Sequence, residues 1–242
     1  MDSFDVRKLG TILGVWAHPD DEGYLSAGLM CSARDLGQRV LCVTATRGEL
    51  GAPGSPDEVA ELRVKELDAA LGILGVEEHR WLDYKDGECA SVPVDEGAAV
   101  IERLVREARP DTVLTFGPDG MTGHPDHRAV SRWTTRAVAR VGSGRPDLQY
   151  ATLSDEVADL FRDELAPLDV YGPGTPPRTG PGDLTIRFAL PSDVRRRKIA
   201  AMRAQQSQTA PVIDLVGDER YAEFVSVEYF RRPTTAELDG AD

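Results

Sequence analysis

The chain has 242 residues, 41% of them hydrophobic, and sets 28 Lys and Arg against 41 Asp and Glu for a formal net charge of −13. That length buries a sizeable core in one large domain or two small ones, and the acidic balance excludes a nucleic-acid partner, because no excess of basic groups exists to neutralise phosphates. No apolar run approaches the ~20 residues that cross a bilayer, "MDSFDVRKLG" lacks the apolar stretch of a signal peptide, and three cysteines outside any CxxC spacing point to a reduced, cytoplasmic compartment.

In chain order, "TILGVWA" (11–17) is a short apolar run with β-branched and aromatic members and predicts a buried strand. "EGYLSAGLMCSARDLG" (22–37) has apolar residues at helical spacing and a stop at Gly37. "RVLCVTAT" (39–46) predicts a second buried strand, followed by a Gly- and Pro-rich loop over 47–57. A helix to about 74 then carries Val59, Leu62, Leu67, Leu71 and Leu74 as its apolar series. A strand over 79–84, a helix over 95–108 and a strand over 111–117 complete an alternation at βαβ spacing. The fold class expected is therefore α/β, a mostly parallel sheet flanked by helices on both faces.

We expect a single domain over 1–242, with its core at about 11–140 and a smaller C-terminal α/β extension at about 145–232. The extension holds a Pro- and Gly-dense loop (171–183), a strand (183–190) and one long helix (192–208) opened by Ser192 as N-cap. Its basic run Arg195 to Lys198 reads as a solvated helix face, a helix–strand pair spans 218–230, and the tail "TTAELDGAD" reads as frayed. Cys31 and Cys42 are expected to be small buried residues, Cys89 a loop thiol and His79 an ordinary strand-edge histidine.

Three of the four histidines lie in two stretches, "AHPDDE" (17–22) and "GHPDH" (123–127). Both follow a predicted strand and precede a predicted helix, which puts them at the carboxyl edge of the sheet, where ligand crevices form. Proline suits a first helical turn, and residues three apart then share a side, as do His18 with Asp21 and His124 with His127. Two imidazoles and a carboxylate make a ligand set for catalytic zinc with one position left open, and His18, Asp21 and His127 are taken as that set. Asp20 remains free to accept a proton from water and deliver it to a leaving group. His124 serves best as a donor to the oxyanion of a tetrahedral intermediate, and Asp126 as the carboxylate that orients a histidine. The competing structural reading is helix capping by Asp20 and Asp126.

These motifs resemble those of the LmbE-like, or PIG-L, family of metal-dependent N-deacetylases, together with "TRGELG" (46–51), "RVKEL" (63–67) and, more weakly, "QQSQ" (205–208). The resemblance implies a Rossmann-like scaffold and hydrolysis of an acetamide on a small N-acetylglucosamine-type substrate, with Zn2+ as cofactor and Fe2+ or Co2+ as alternatives. It carries the same roles to His18, Asp21, His127, Asp20 and His124. Arg63 is either a grip on substrate hydroxyls or phosphate, or a salt-bridge partner of a neighbouring acidic residue such as Glu66; Glu49 either orders its loop or touches substrate. Two positions depart from the family pattern: Thr122 stands where some members have a tyrosine, and Gln205 where a histidine often precedes x-Ser-Gln. Both lie around the substrate. The implied partner is a small molecule, neither nucleic acid nor membrane, and a homo-oligomer is compatible with it. Other readings are an amidase or deacylase acting on a thiol conjugate or secondary-metabolite glycoside, and a non-catalytic nucleotide-binding module. For the last, the only glycine-rich candidate is "GSGRPD" (142–147), which follows a helix and lacks the later glycine.

Overall fold

A computed structural model describes residues 4–240. Its first half alternates β1 (Ile12–Trp16), α1 (Asp21–Asp35), β2 (Val40–Thr44), α2 (Pro56–Leu74), β3 (Glu78–Trp81), α3 (Val94–Ala108), β4 (Thr112–Phe116) and α4 (Pro125–Val141). Every residue of β1, β2 and β4 is buried, as parallel strands covered by helices on both faces must be. Local chemistry sets the helix ends. Ser55 and Glu58 form a reciprocal capping box ahead of Pro56, and Gly75 closes α2 in the left-handed conformation at φ 73°.

The second half comprises β5 (Asp147–Ala151), β6 (Leu153–Ser154), α5 (Asp155–Leu165), β7 (Arg178–Thr179), β8 (Leu184–Ala189), α6 (Ser192–Ala204), α7 (Gln206–Val216), α8 (Asp218–Phe224), β9 (Val227–Arg231) and α9 (Thr235–Asp239). The main sheet runs β3-β2-β1-β4-β5-β9-β8. Strands β1 to β5 are parallel, while β9 and β8 add antiparallel at the β5 edge. The mostly parallel α/β sheet expected from the sequence is therefore present, and the extension continues that same sheet. A two-stranded ladder, β6 with β7, stands beside it.

Several local expectations are corrected. The helix over 192–208 is two helices, because Gln205 at φ −94° and ψ 52° turns the chain between α6 and α7. Its N-cap is Pro191, and Ser192 makes no capping bond. Lys198, on the basic face, is fully buried. Leu62 is 44% exposed, leaving Val59, Leu67, Leu71 and Leu74 as the buried face of α2, and Cys89 is buried. In the tail, Thr234 and Glu237 form a capping box that starts α9; its last two residues lie outside the described ones. The stretch 142–147 enters β5 at its amino end, opposite the carboxyl edge where phosphate-binding turns sit.

Candidate active site

Strand order reverses between β1 and β4. From β1 the chain winds outward through β2 and β3, and from β4 the other way through β5. Ligands bind at such a switch point, beyond the carboxyl ends of the strands. The two His-Pro-Asp stretches flank it: His18 leaves β1 toward α1, and His124 leads into α4 beyond β4. The N–H groups of Ala17 and His18 donate to Asp21 Oδ2 at 3.2 and 2.8 Å. His127 stacks on Phe116, with ring centroids 4.3 Å apart.

Carboxylates and carbonyls only accept hydrogen bonds, which fixes the protons of two rings. His18 Nε2 lies 3.2 Å from Asp126 Oδ2 and 3.1 Å from Asp86 Oδ1, so it carries hydrogen. His127 Nδ1 lies 2.9 Å from the Gly120 carbonyl and carries hydrogen too. What remains is His18 Nδ1 facing His127 Nε2 at 3.0 Å, with Asp21 oxygens 3.8 Å from the first and 3.4 Å from the second. Two neutral imidazoles would point lone pairs at each other there. The site demands positive charge between them, either an extra proton on His18 or a metal cation. Burial alone would depress the His18 imidazolium, but its bonds to Asp126 and Asp86 and the charge of Asp21 push its pKa up to about 10. The carboxylates Asp21, Asp86 and Asp126 around one ring favour a divalent ion over a single proton. Ligands held at ~2.0–2.1 Å by a tetrahedral ion lie about 3.3–3.4 Å apart, inside the range of these separations. His18, Asp21 and His127 thus fit a divalent metal.

His124 contributes a nitrogen within 4.8 Å of those of His18 and His127, yet its proton differs. Its Nδ1 caps α4 by accepting the Asp126 N–H at 3.2 Å. Burial and the neighbouring His18 lower its pKa, which keeps the ring neutral with hydrogen on Nε2, a donor. Capping at this stretch is therefore done by His124. Asp126 instead takes the N–H groups of Gly87 (2.7 Å) and Cys89 (3.1 Å) as well as His18, and Asp20 makes no side-chain capping bond.

Asp20 sits at φ 114°, a left-handed backbone rare outside glycine. Its N–H donates to Glu22 Oε2 at 3.0 Å, and Glu22 Oε1 accepts from Gln205 Nε2 at 2.6 Å. Burial raises the Asp20 pKa to about 7 against the opposing charge of Arg63. Arg63 is buried, 3.5 Å from Asp20 Oδ2, and donates to the carbonyls of Pro19 and Gly48. Only glycine fits at 48: a Cβ there would meet the Arg63 guanidinium at 1.9 Å.

A family model described as GlcNAc-PI de-N-acetylase (PIG-L) matches residues 13–138, more than half of the chain. The chain belongs to the PIG-L family. It is 38% identical to a 1D-myo-inositol 2-acetamido-2-deoxy-alpha-D-glucopyranoside deacetylase of Kineococcus radiotolerans, over 84% of this chain and 70% of that one. In fold it is similar to an N,N'-diacetylchitobiose deacetylase from Pyrococcus horikoshii, with a TM-score of 0.62, 22% identity and coverage of 94% of this chain and 86% of that one. A 4-carboxy-2-hydroxymuconate hydratase of Pseudomonas putida KT2440 shares the fold at a TM-score of 0.60 and 15% identity, over 93% and 97% of the two chains. The fold alone therefore does not select the reaction; family membership and the sequence relatives make this chain an amide-hydrolysing deacetylase.

The remaining positions of this PIG-L chain fall into place around the cluster. Glu66 bonds the backbone and hydroxyl of Ser207, and the acidic partner of Arg63 is Asp20, at 3.5 Å, in place of Glu66. Glu49 Oε1 accepts the Asp86 N–H at 3.0 Å, while Asp86 accepts the Leu50 N–H at 2.9 Å, clasping two loops together. Thr122 lines the cavity beside His127, and its carbonyl anchors the 171–175 loop through Gly172 and Thr175. His79, at the sheet edge, bonds Thr44 at 3.0 Å, and burial lowers its pKa to about 4. Sequence reasoning missed Asp86, whose "DG" setting signals only a turn, and the Glu22–Gln205 bond, which joins residues 183 positions apart. Asp126→Asn should weaken metal binding by about 10–100-fold by loosening His18; a metal titration giving unchanged affinity would remove that role.

Proposed function

We propose that this chain is a zinc-dependent N-deacetylase that releases acetate from an N-acetylglucosamine-type glycoconjugate. The observation that carries the reading is the pair of imidazole nitrogens, 3.0 Å apart beside Asp21, with a separate carboxylate, Asp20, raised toward neutrality. Two imidazoles and a carboxylate suit zinc, with Fe2+ and Co2+ as alternatives. The bound cation supplies Lewis acidity for the amide carbonyl and acidifies water. Asp20 takes the proton from the attacking water, as a base poised near the working pH does best, and returns it to the amine nitrogen as the C–N bond breaks. His124 donates its Nε2 hydrogen to the carbonyl oxygen as negative charge develops there. Asp126 and Asp86 hold the His18 ring, while Arg63 keeps the Asp20 carboxylate oriented.

The relatives' printed names support an acetylated amino sugar as substrate. The three cysteines are free and buried, which suits a reducing cytoplasm, and among the described residues no helix is long and apolar enough to cross a membrane. The test is elemental analysis followed by an acetate-release assay on N-acetylglucosamine glycosides. About one equivalent of divalent metal and loss of release on chelation are expected. A protein that binds no Zn, Fe or Co on reconstitution, or that binds metal and releases no acetate from any of these glycosides, overturns the reading.

A further inference from the structure

The cavity over the site, about 240 Å³, has two unlike parts. Asp20, Asp21, Thr122 and His127 belong to the sheet edge just described; most of the rest comes from the C-terminal extension and is carbon. Leu153, Phe161, Val212, Phe224 and Val227 supply that wall from β6, α5, α7, α8 and β9, and the rings of Phe161 and Phe224 pack at 4.5 Å. Three polar side chains interspersed there are already engaged. Glu228 bonds Lys198, Gly28 and Leu29; Thr152 bonds Thr179; Gln208 bonds Gly51 and Ser207. The hydroxyls of Tyr24 and Tyr221 are buried beside each other and meet no other partner among the described residues, and the rings of Tyr171 and Tyr229 also line the cavity.

A polyol in such a wall would leave hydroxyl groups without partners, an unfavourable exchange for the hydrogen bonds they make to water. An aliphatic or aromatic group would lose nothing and bury apolar surface. An acetyl group needs only a methyl-sized space, so the volume is to be filled from the amine side of the amide. We infer that, on the amino-sugar reading above, the substrate carries an apolar aglycone: the sugar stays at the polar sheet edge beside Asp20, Thr122 and His127, and the aglycone packs on Leu153, Phe161, Val212 and Phe224.

The experiment compares kcat/KM of the metal-loaded enzyme for octyl, methyl and myo-inositol N-acetylglucosaminides, below micelle-forming concentration, with N-octanoylglucosamine as the acyl-side control. Calorimetric binding of the octyl compound is measured in parallel. The octyl glycoside should exceed the methyl one at least tenfold, and the inositol glycoside should not. Val212→Trp, which fills the cavity, should bring the octyl-to-methyl ratio close to one; Phe161→Ser, at a half-buried position, should lower the same ratio if the first variant folds poorly. Acetate released equally from all three glycosides, a preference for inositol, or a gain confined to N-octanoylglucosamine overturns the inference and leaves the deacetylase reading standing. Octyl binding that Val212→Trp abolishes, without acetate release from any glycoside, supports the apolar site and removes the deacetylase reading. Neither binding nor release overturns both.

Discussion

Asp20→Asn should lower acetate release by about 10²–10⁴-fold, the usual contribution of a positioned general base, and leave the metal content unchanged. That loss corresponds to roughly 2.7–5.5 kcal/mol of transition-state stabilisation. The substitution is a clean one for physical reasons. Asparagine tolerates positive φ better than most residues, so the backbone at φ 114° can persist. Its pinning also persists, because the bonds involved are backbone ones: the Asp20 N–H to Glu22, the Asp20 carbonyl to the Tyr24 N–H, and the Pro19 carbonyl to Arg63. An amide cannot take the water's proton, so kcat should fall with little change in KM. Loss of metal in the variant would make Asp20 a ligand, and turnover within tenfold of the parent would end its assignment as base. The strained backbone is what makes the assignment specific. Strain of this kind persists only where the surroundings over-determine it, and here it lets consecutive aspartates serve different ends: Asp21 faces the two imidazoles, whereas Asp20 faces Arg63.

Much of this was legible in the sequence because it was written in local terms. Strands β1, β2 and β4 are short, mostly apolar runs, and each His-Pro-Asp stretch announces a strand-to-helix turn by itself. Strand β5, "DLQYA", was not legible: Gln149 is buried in its middle, and only the fold brings in Thr185, which donates to its amide oxygen. The break at Gln205 is invisible for the same reason. Glutamine favours helix, but a bond to Glu22 and the docking of Ser207 on Glu66 redirect the chain. The proposed metal ligands lie inside the two readable motifs, while Asp86, and the bond that joins Glu22 to Gln205, are brought in by tertiary structure.

Lys198→Met should cost about 3–5 kcal/mol of stability, the penalty for removing one partner of a buried ion pair. Lys198 and Glu228 are each buried, with Nζ to Oε1 at 2.7 Å. Their remaining bonds all go to α1: Lys198 Nζ to the Tyr24 carbonyl at 2.8 Å, and Glu228 from the N–H groups of Gly28 and Leu29 at 2.7 and 2.8 Å. In an α-helix the carbonyl of residue 24 and the N–H of residue 28 would serve each other, so the pair is inserted at one step of the ladder, where side chains bend helices. Methionine would leave Glu228 charged in the interior and the Tyr24 carbonyl short of a donor. The double variant Lys198→Met/Glu228→Gln should be less destabilised than the sum of its single variants, because it removes both charges together; additive losses in urea unfolding would show that the two act independently. The same step of α1 lies four residues beyond Asp20 and holds Tyr24 against the cavity, so the single Lys198 variant should also lose turnover at temperatures where it remains folded. A stable Lys198→Met enzyme with parental activity would mean that α1 holds Asp20 and Asp21 in place without this pair.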